Sequence, residues 1–251
     1  KYLSQLQLHS SDRLTKSKKG NWMKNFRAIF ILTILAGVPL GNLWTATNEE
    51  CLMCHSDPEL TAERQGRTIS LYVDEKKYAL SVHKNQDCIS CHSDADVEEF
   101  PHPERLETVN CGNCHSDADE EFYAGIHGMA LKRGAPYAPT CKECHGEHDI
   151  LPPSNIESRT YKMNIPLLCG KCHREDAPVA RVYNIPEKDI LSNYTESIHG
   201  EGLFKQGLIV TATCNDCHGN HLVLPHTSPR STISAANIAR TCMKCHARIE
   251  Q

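Results

Sequence analysis

Seven copies of one short pattern, Cys-x-x-Cys-His, run through this chain and use all of its 14 cysteines. The paired thiols are Cys51 and Cys54, Cys88 and Cys91, Cys111 and Cys114, Cys141 and Cys144, Cys169 and Cys172, Cys214 and Cys217, and Cys242 and Cys245. The histidines that follow are His55, His92, His115, His145, His173, His218 and His246. Two cysteines three apart sit on neighbouring positions of one helical turn, so both can bond covalently to one porphyrin edge. The adjacent imidazole can then reach the iron. Zinc ribbons also pair CxxC units, and secreted scaffolds pair cysteines as disulfides. Neither gives a reason for a histidine after every second cysteine at one fixed spacing. The pattern therefore reads as seven covalently bound haems c, with the cysteines as thioether positions and the seven histidines as iron ligands.

The segment Cys141-Lys-Glu-Cys144-His145-Gly-Glu-His148 carries a second imidazole. His148 is too close along the chain to reach the opposite face of the haem that His145 holds, so as a ligand it must serve a neighbouring one. Outside the motifs, and apart from His9 near the start, the remaining histidines are His83, His102, His127, His148, His199, His221 and His226. Seven spare imidazoles for seven irons predict bis-histidine coordination throughout, which leaves no open position for a substrate. The competing ligand is methionine. Met53 and Met243 lie between paired cysteines and cannot serve their own haems, while Met129 and Met163 recur nowhere, so packing is their expected role.

Residues 1–22 are polar and basic and read as upstream sequence or a mis-set start. Residues 23–46 read as a signal peptide, with Lys24 and Arg27 ahead of the apolar stretch 28–40 and small residues after it. An uncleaved membrane anchor through 28–46 is the alternative. Either leader places the motifs in the periplasm or another extracytoplasmic space. Residues 1–46 hold seven Lys or Arg and one acidic residue, Asp12, so the rest carries 20 basic and 30 acidic side chains. That excess excludes nucleic acid as a partner. It suits a basic redox protein, or simply a solvated surface.

Residues 47–251 give roughly 29 residues per haem and few aromatics, too little for a large apolar core. The expected fold is mostly irregular, with short α-helices, one small β-hairpin and the haems themselves as the core. Without haem the chain should be largely unfolded. The hairpin is expected from 67–73 and 77–82 around Asp74-Glu75-Lys76. Further on the chain is duplicated. Tyr123-Ala-Gly-Ile-His127-Gly128 matches Tyr194-Thr-Glu-Ser-Ile-His199-Gly200 with one insertion, and the segments at Cys141–His148 and Cys214–His221 lie 73 residues apart. Two dihaem units are expected at about 123–175 and 194–248, joined by a linker at 178–189. Residues 83–115 resemble a shorter relative, with His83 in the place of His127 and Phe-Pro-His102 echoing Leu-Pro-His226. A longer helix is expected from Tyr194 towards Phe204.

The stretches ECLMCHSDPEL, SIHG, CHGxH followed by LP, MNIPLLCGKCH and TCMKCHARIE resemble the multihaem cytochrome c3/c7-like family. In particular, they are similar to exported multihaem c-type (class III-like) domains found ahead of membrane cytochrome b regions. The resemblance covers about 50–251. It implies electron transport between a membrane cytochrome b or quinone-linked module and periplasmic redox partner proteins. The expected activity is electron transfer alone, with no catalytic residues. Two alternatives stand beside it: a reductase of a small nitrogen or sulfur oxyanion, which needs a five-coordinate iron, and a subunit of an extracellular cytochrome filament, in which a histidine of one copy serves the next.

Overall fold

The computed structural model of the chain describes residues 45–64, 66–183, 185 and 189–247. The expected upstream segment at 1–22 and nearly all of the expected leader at 23–46 lie outside the described residues. Ala46, where the expected leader ends, is buried, and its N–H donates to Asp96 Oδ1 at 2.9 Å. No described helix is long and apolar enough to cross a membrane.

The helices are short. They are α1 (Asn48–His55), α2 (Glu75–Tyr78), α3 (Ser116–Ala124), α4 (Ile126–Lys132), α5 (Cys141–His145), α6 (Ile165–Gly170), α7 (Pro178–Val182), α8 (Ile190–Thr195), α9 (Ile198–Phe204), α10 (Cys214–His218) and α11 (Ile238–Met243). The strands β1 (Thr61–Arg64) and β2 (Arg67–Ser70) pair antiparallel, with Thr61 opposite Ser70 and Arg64 opposite Arg67. The CxxC units at Cys88 and Cys111 form single 3-10 turns. Among the described residues the buried apolar side chains are few and mostly small: Ala46, Ala95, Ile165, Ala177 and Leu203.

The hairpin therefore lies one strand upstream of the expected position. Gly66, at φ 72°, supplies the left-handed residue of its tight connection. Asp74 is no turn residue between strands: its carboxylate accepts from the N–H groups of Lys76 and Lys77 and starts α2. The single helix expected from Tyr194 to Phe204 is broken in two. Ser197 is the reason, since its hydroxyl accepts from Gly200 N–H and donates to Tyr194 O, ending α8 and capping α9.

The duplication extends to individual hydrogen bonds at the 73-residue offset. Ser158 Oγ donates to Leu151 O, and Ser231 Oγ to Leu224 O. Asn164 Nδ2 spans Ile156 O and Ser158 O, just as Asn237 Nδ2 spans Pro229 O and Ser231 O. In both units the glycine after the histidine of the IHG segment lets one helix start against the end of the previous one. A Cβ on Gly128 would lie 2.3 Å from Phe122 O, and one on Gly200 would lie 2.0 Å from Tyr194 O.

Candidate functional site

Two of the motif helices, α5 and α10, are built alike. Thr140 and Thr213 precede them, and each forms a capping box with the acidic residue three positions on, Glu143 or Asp216. Thr47 and Glu50 do the same for α1. The turn then closes on Gly146 (φ 98°) or Gly219 (φ 84°), conformations open to glycine but strained for other residues. The T-x-x-[DE] signal is readable in the sequence, although sequence reasoning here passed over it. Its effect is to fix the first cysteine of each unit at the start of a helix and the histidine at the end.

Six of the seven motif histidines face a histidine from outside the motifs at nearly constant distance. The ring centres are 6.0 Å apart for His55 and His102, 6.0 Å for His83 and His115, 6.2 Å for His92 and His148, 6.1 Å for His127 and His173, 6.0 Å for His145 and His221, and 5.9 Å for His199 and His246. The interplanar angles, by contrast, run from 6° to 58°. Aromatic packing would constrain both quantities. Constant separation with free rotation is what two ligands on one axis require: two metal–imidazole bonds of about 2.1 Å each, plus the half-widths of two rings, span roughly 6 Å. Each of these six imidazole pairs is spaced as two residues that would hold one iron between them.

The outer nitrogens agree where they have partners. His55 Nδ1 lies 2.7 Å from Leu71 O and His102 Nδ1 lies 2.8 Å from Pro103 O; both contacts put the proton on Nδ1 and leave Nε2 free as a ligand. His221 Nδ1 points to Glu121 Oε2 at 3.9 Å. His92 Nδ1 is buried without a partner. Burial holds His92, His127, His145, His148 and His173 below the ordinary histidine range, with the facing imidazole the next cause at His92, His127 and His145. They are therefore neutral at pH 7, the form that binds metal.

His148 pairs with His92 rather than with its own motif's His145, and His145 is faced by His221 of the second unit. Among the described residues no imidazole faces His218. His226 is exposed, whereas the six facing histidines from outside the motifs are half-buried. The expected echo between His102 and His226 thus does not extend to their surroundings. The match of His83 to His127 does: Val82 N–H donates to Ile150 O, and Ile126 N–H to Val223 O, each at 2.8 Å and each two residues past the second histidine of a CHGxH segment.

Successive motifs lie within electrostatic reach of one another in chain order. Burial and the Cys51 thiol, which shares a hydrogen bond with it, push the Cys88 thiol up to about 11. Cys91 is raised by burial and then by Cys111 and Cys114. Cys141 is raised by burial and then by Cys111. Cys144 is raised by burial, then by Glu143 and Cys172. A hydrogen bond joins Cys169 to Cys214, raising the first and lowering the second. Cys217 is raised by burial and then by Cys242. Three of the six steps between consecutive motifs, Cys51 to Cys88, Cys111 to Cys141 and Cys169 to Cys214, are joined thiol to thiol by a hydrogen bond.

A cavity of about 640 Å³ is lined by Cys169, Cys172, His173 and the facing His127, with Lys142, Lys171 and Arg159 also on its walls. All 14 thiols are free. No group of three or more His, Cys, Asp or Glu side chains converges among the described residues as a metal cluster would need. The thiols are thus arranged neither as disulfides nor as the four-ligand cage of a zinc ribbon. Comparison with known proteins adds nothing to this geometry: no family model, no curated protein and no solved structure matches the chain.

Proposed function

We propose that this chain is an exported multihaem c-type cytochrome, carrying electrons along seven covalently bound haems in motif order for respiratory electron transport. The observation that carries the reading is the set of six imidazole pairs at 5.9–6.2 Å, each joining a CxxCH histidine to a histidine elsewhere. When bound, c-type haem supplies one-electron Fe(III)/Fe(II) chemistry, and bis-histidine ligation sets its potential low. The chain's own part is to space the sites. Its thiols bring each motif against the next, and tunnelling falls off exponentially with the gap. Lys171 lines the cavity beside His127 and His173, where it could pair with a propionate. Its small apolar core, beside exposed residues such as Met53, Leu80, Ile156 and Val210, matches an interior completed by porphyrin.

The partners that follow are redox proteins, including a membrane cytochrome b or quinone-linked module, with no nucleic acid. The periplasmic or extracytoplasmic location rests on the leader. The test is direct. Protein matured with a c-type haem attachment system should carry seven haems and titrate over a broad span of potential, because partly buried charges in a row repel one another on reduction. Colourless or zinc-loaded protein, or one sharp step for all haems, would refute the proposal. Reductase activity needs an iron without a second imidazole, and His218 holds the one motif where none is seen among the described residues.

A further inference from the structure

Resting on that reading, we infer that the His218 site and the start of α9 form a docking surface for a histidine-bearing CHGxH segment supplied from outside the described residues. That segment would supply the sixth ligand that the described residues do not. The repeat itself carries the argument. The second histidine of each CHGxH segment caps an upstream motif histidine: His148 faces His92, and His221 faces the histidine of the preceding CHGxH segment, His145. Continued by one step, the next such segment caps His218.

The backbone repeats with the same register. The residue before His83 donates to the carbonyl of Ile150, and the residue before His127 donates to that of Val223. The third equivalent residue, Ile198 before His199, has no hydrogen-bond partner for its N–H among the described residues. Burial follows the docking. Val82 and Ile126, with a segment laid against them, are 51% and 43% exposed, whereas Ile198 is 78% exposed. One residue earlier, Ser81 and Gly125 are buried, but Ser197 is only half-buried. Serine is no obstacle at that position, since Ser81 lies 2% exposed beneath the first docked segment. The edge is thus cut for an occupant whose chemistry the chain displays twice: an imidazole, then a backbone carbonyl two residues on.

The test uses the holoprotein, with haem content measured first so that failure of the cytochrome reading is seen separately. The probes are the capped hexapeptide GNHLVL, which copies residues 219–224, and free imidazole. Both should convert one high-spin haem in seven to low spin. The peptide should bind roughly five- to tenfold more tightly, the worth of about one added backbone hydrogen bond. Ile198→Pro removes the donor at the first position of α9, where proline is tolerated. It should erase the peptide's advantage and leave imidazole binding unchanged. Seven low-spin haems before any addition, with one turned high-spin by His226→Ala, would overturn the inference by making His226 the ligand. So would a peptide no tighter than imidazole, or an advantage that survives Ile198→Pro.

Discussion

Replacing Gly200 by alanine tests how tightly the fold sets an imidazole pair. The added Cβ would lie 2.0 Å from Tyr194 O and 2.7 Å from Thr195 Cα, both backbone atoms of the preceding helix. Carbon–oxygen contacts seldom close below about 3.3 Å, so α9 must move away from α8 by roughly 1.3 Å. His199 sits one residue before the substitution and spans 5.9 Å to His246. Ligand distances hold to about 0.2 Å, so the shift exceeds what that site absorbs by several-fold. Strain then costs about 1–3 kcal/mol, or the sixth bond is lost. The assays are thermal melting of the holoprotein and carbon monoxide uptake by the reduced protein. G200A should melt several degrees below the parent, or take up carbon monoxide at one additional haem. G128A, with its Cβ 2.3 Å from Phe122 O, should behave alike at the His127 and His173 site. G202A meets side chains rather than backbone, Thr211 Oγ1 at 3.0 Å and Leu208 Cδ1 at 3.9 Å, and should be milder. A G200A protein indistinguishable from the parent, or G202A as the worse variant, would refute the reasoning.

Thr213→Val removes the hydroxyl that shares a buried capping box with Asp216 and should destabilise the holoprotein by about 1 kcal/mol in denaturant melts. Burial raises Asp216, but the Thr213 N–H and the Lys162 ammonium, 2.9 Å away, outweigh it and hold the carboxyl below the ordinary range. For Asp149, burial is likewise outweighed, here by Arg159. A depressed folded-state value contributes stability above the unfolded carboxylate value of about 3.9, which is lost as pH falls through the folded one. Melting temperature should therefore drop on acidification below pH 4, and D216N and D149N should flatten that slope. His148→Ala should uncap His92 and add one carbon monoxide site, while leaving absorption from the other haems in place. Chain made without haem attachment should give the circular dichroism of a largely unfolded polypeptide, given how few apolar side chains are buried among the described residues.

What could be read in advance depended on distance along the chain. Short helical turns at CxxCH and a small hairpin are local features, and the described residues have both. The hairpin's position turned on Asp74, whose alternating neighbours look strand-like but whose carboxylate is better used as a cap. The break at Ser197 turns on its hydroxyl taking both Gly200 N–H and Tyr194 O, a local choice that the expected single helix did not allow for. The pairing of imidazoles was out of reach, because partners such as His145 and His221 meet through tertiary packing. Equal counts of motif and spare histidines also hid the separate standing of His226.

The crossing of partners between the repeats has a consequence for how such a chain can be divided. His145 belongs to the first unit and is capped from the second, and Lys162 reaches across to Asp216. Severing the connection near α7 would not release two working halves, for the upstream piece would be left with a bare imidazole at its fourth motif. Duplication here has produced interlocked parts, so a cut between the two units separates His145 from His221 and takes the partner from an imidazole on each side of it.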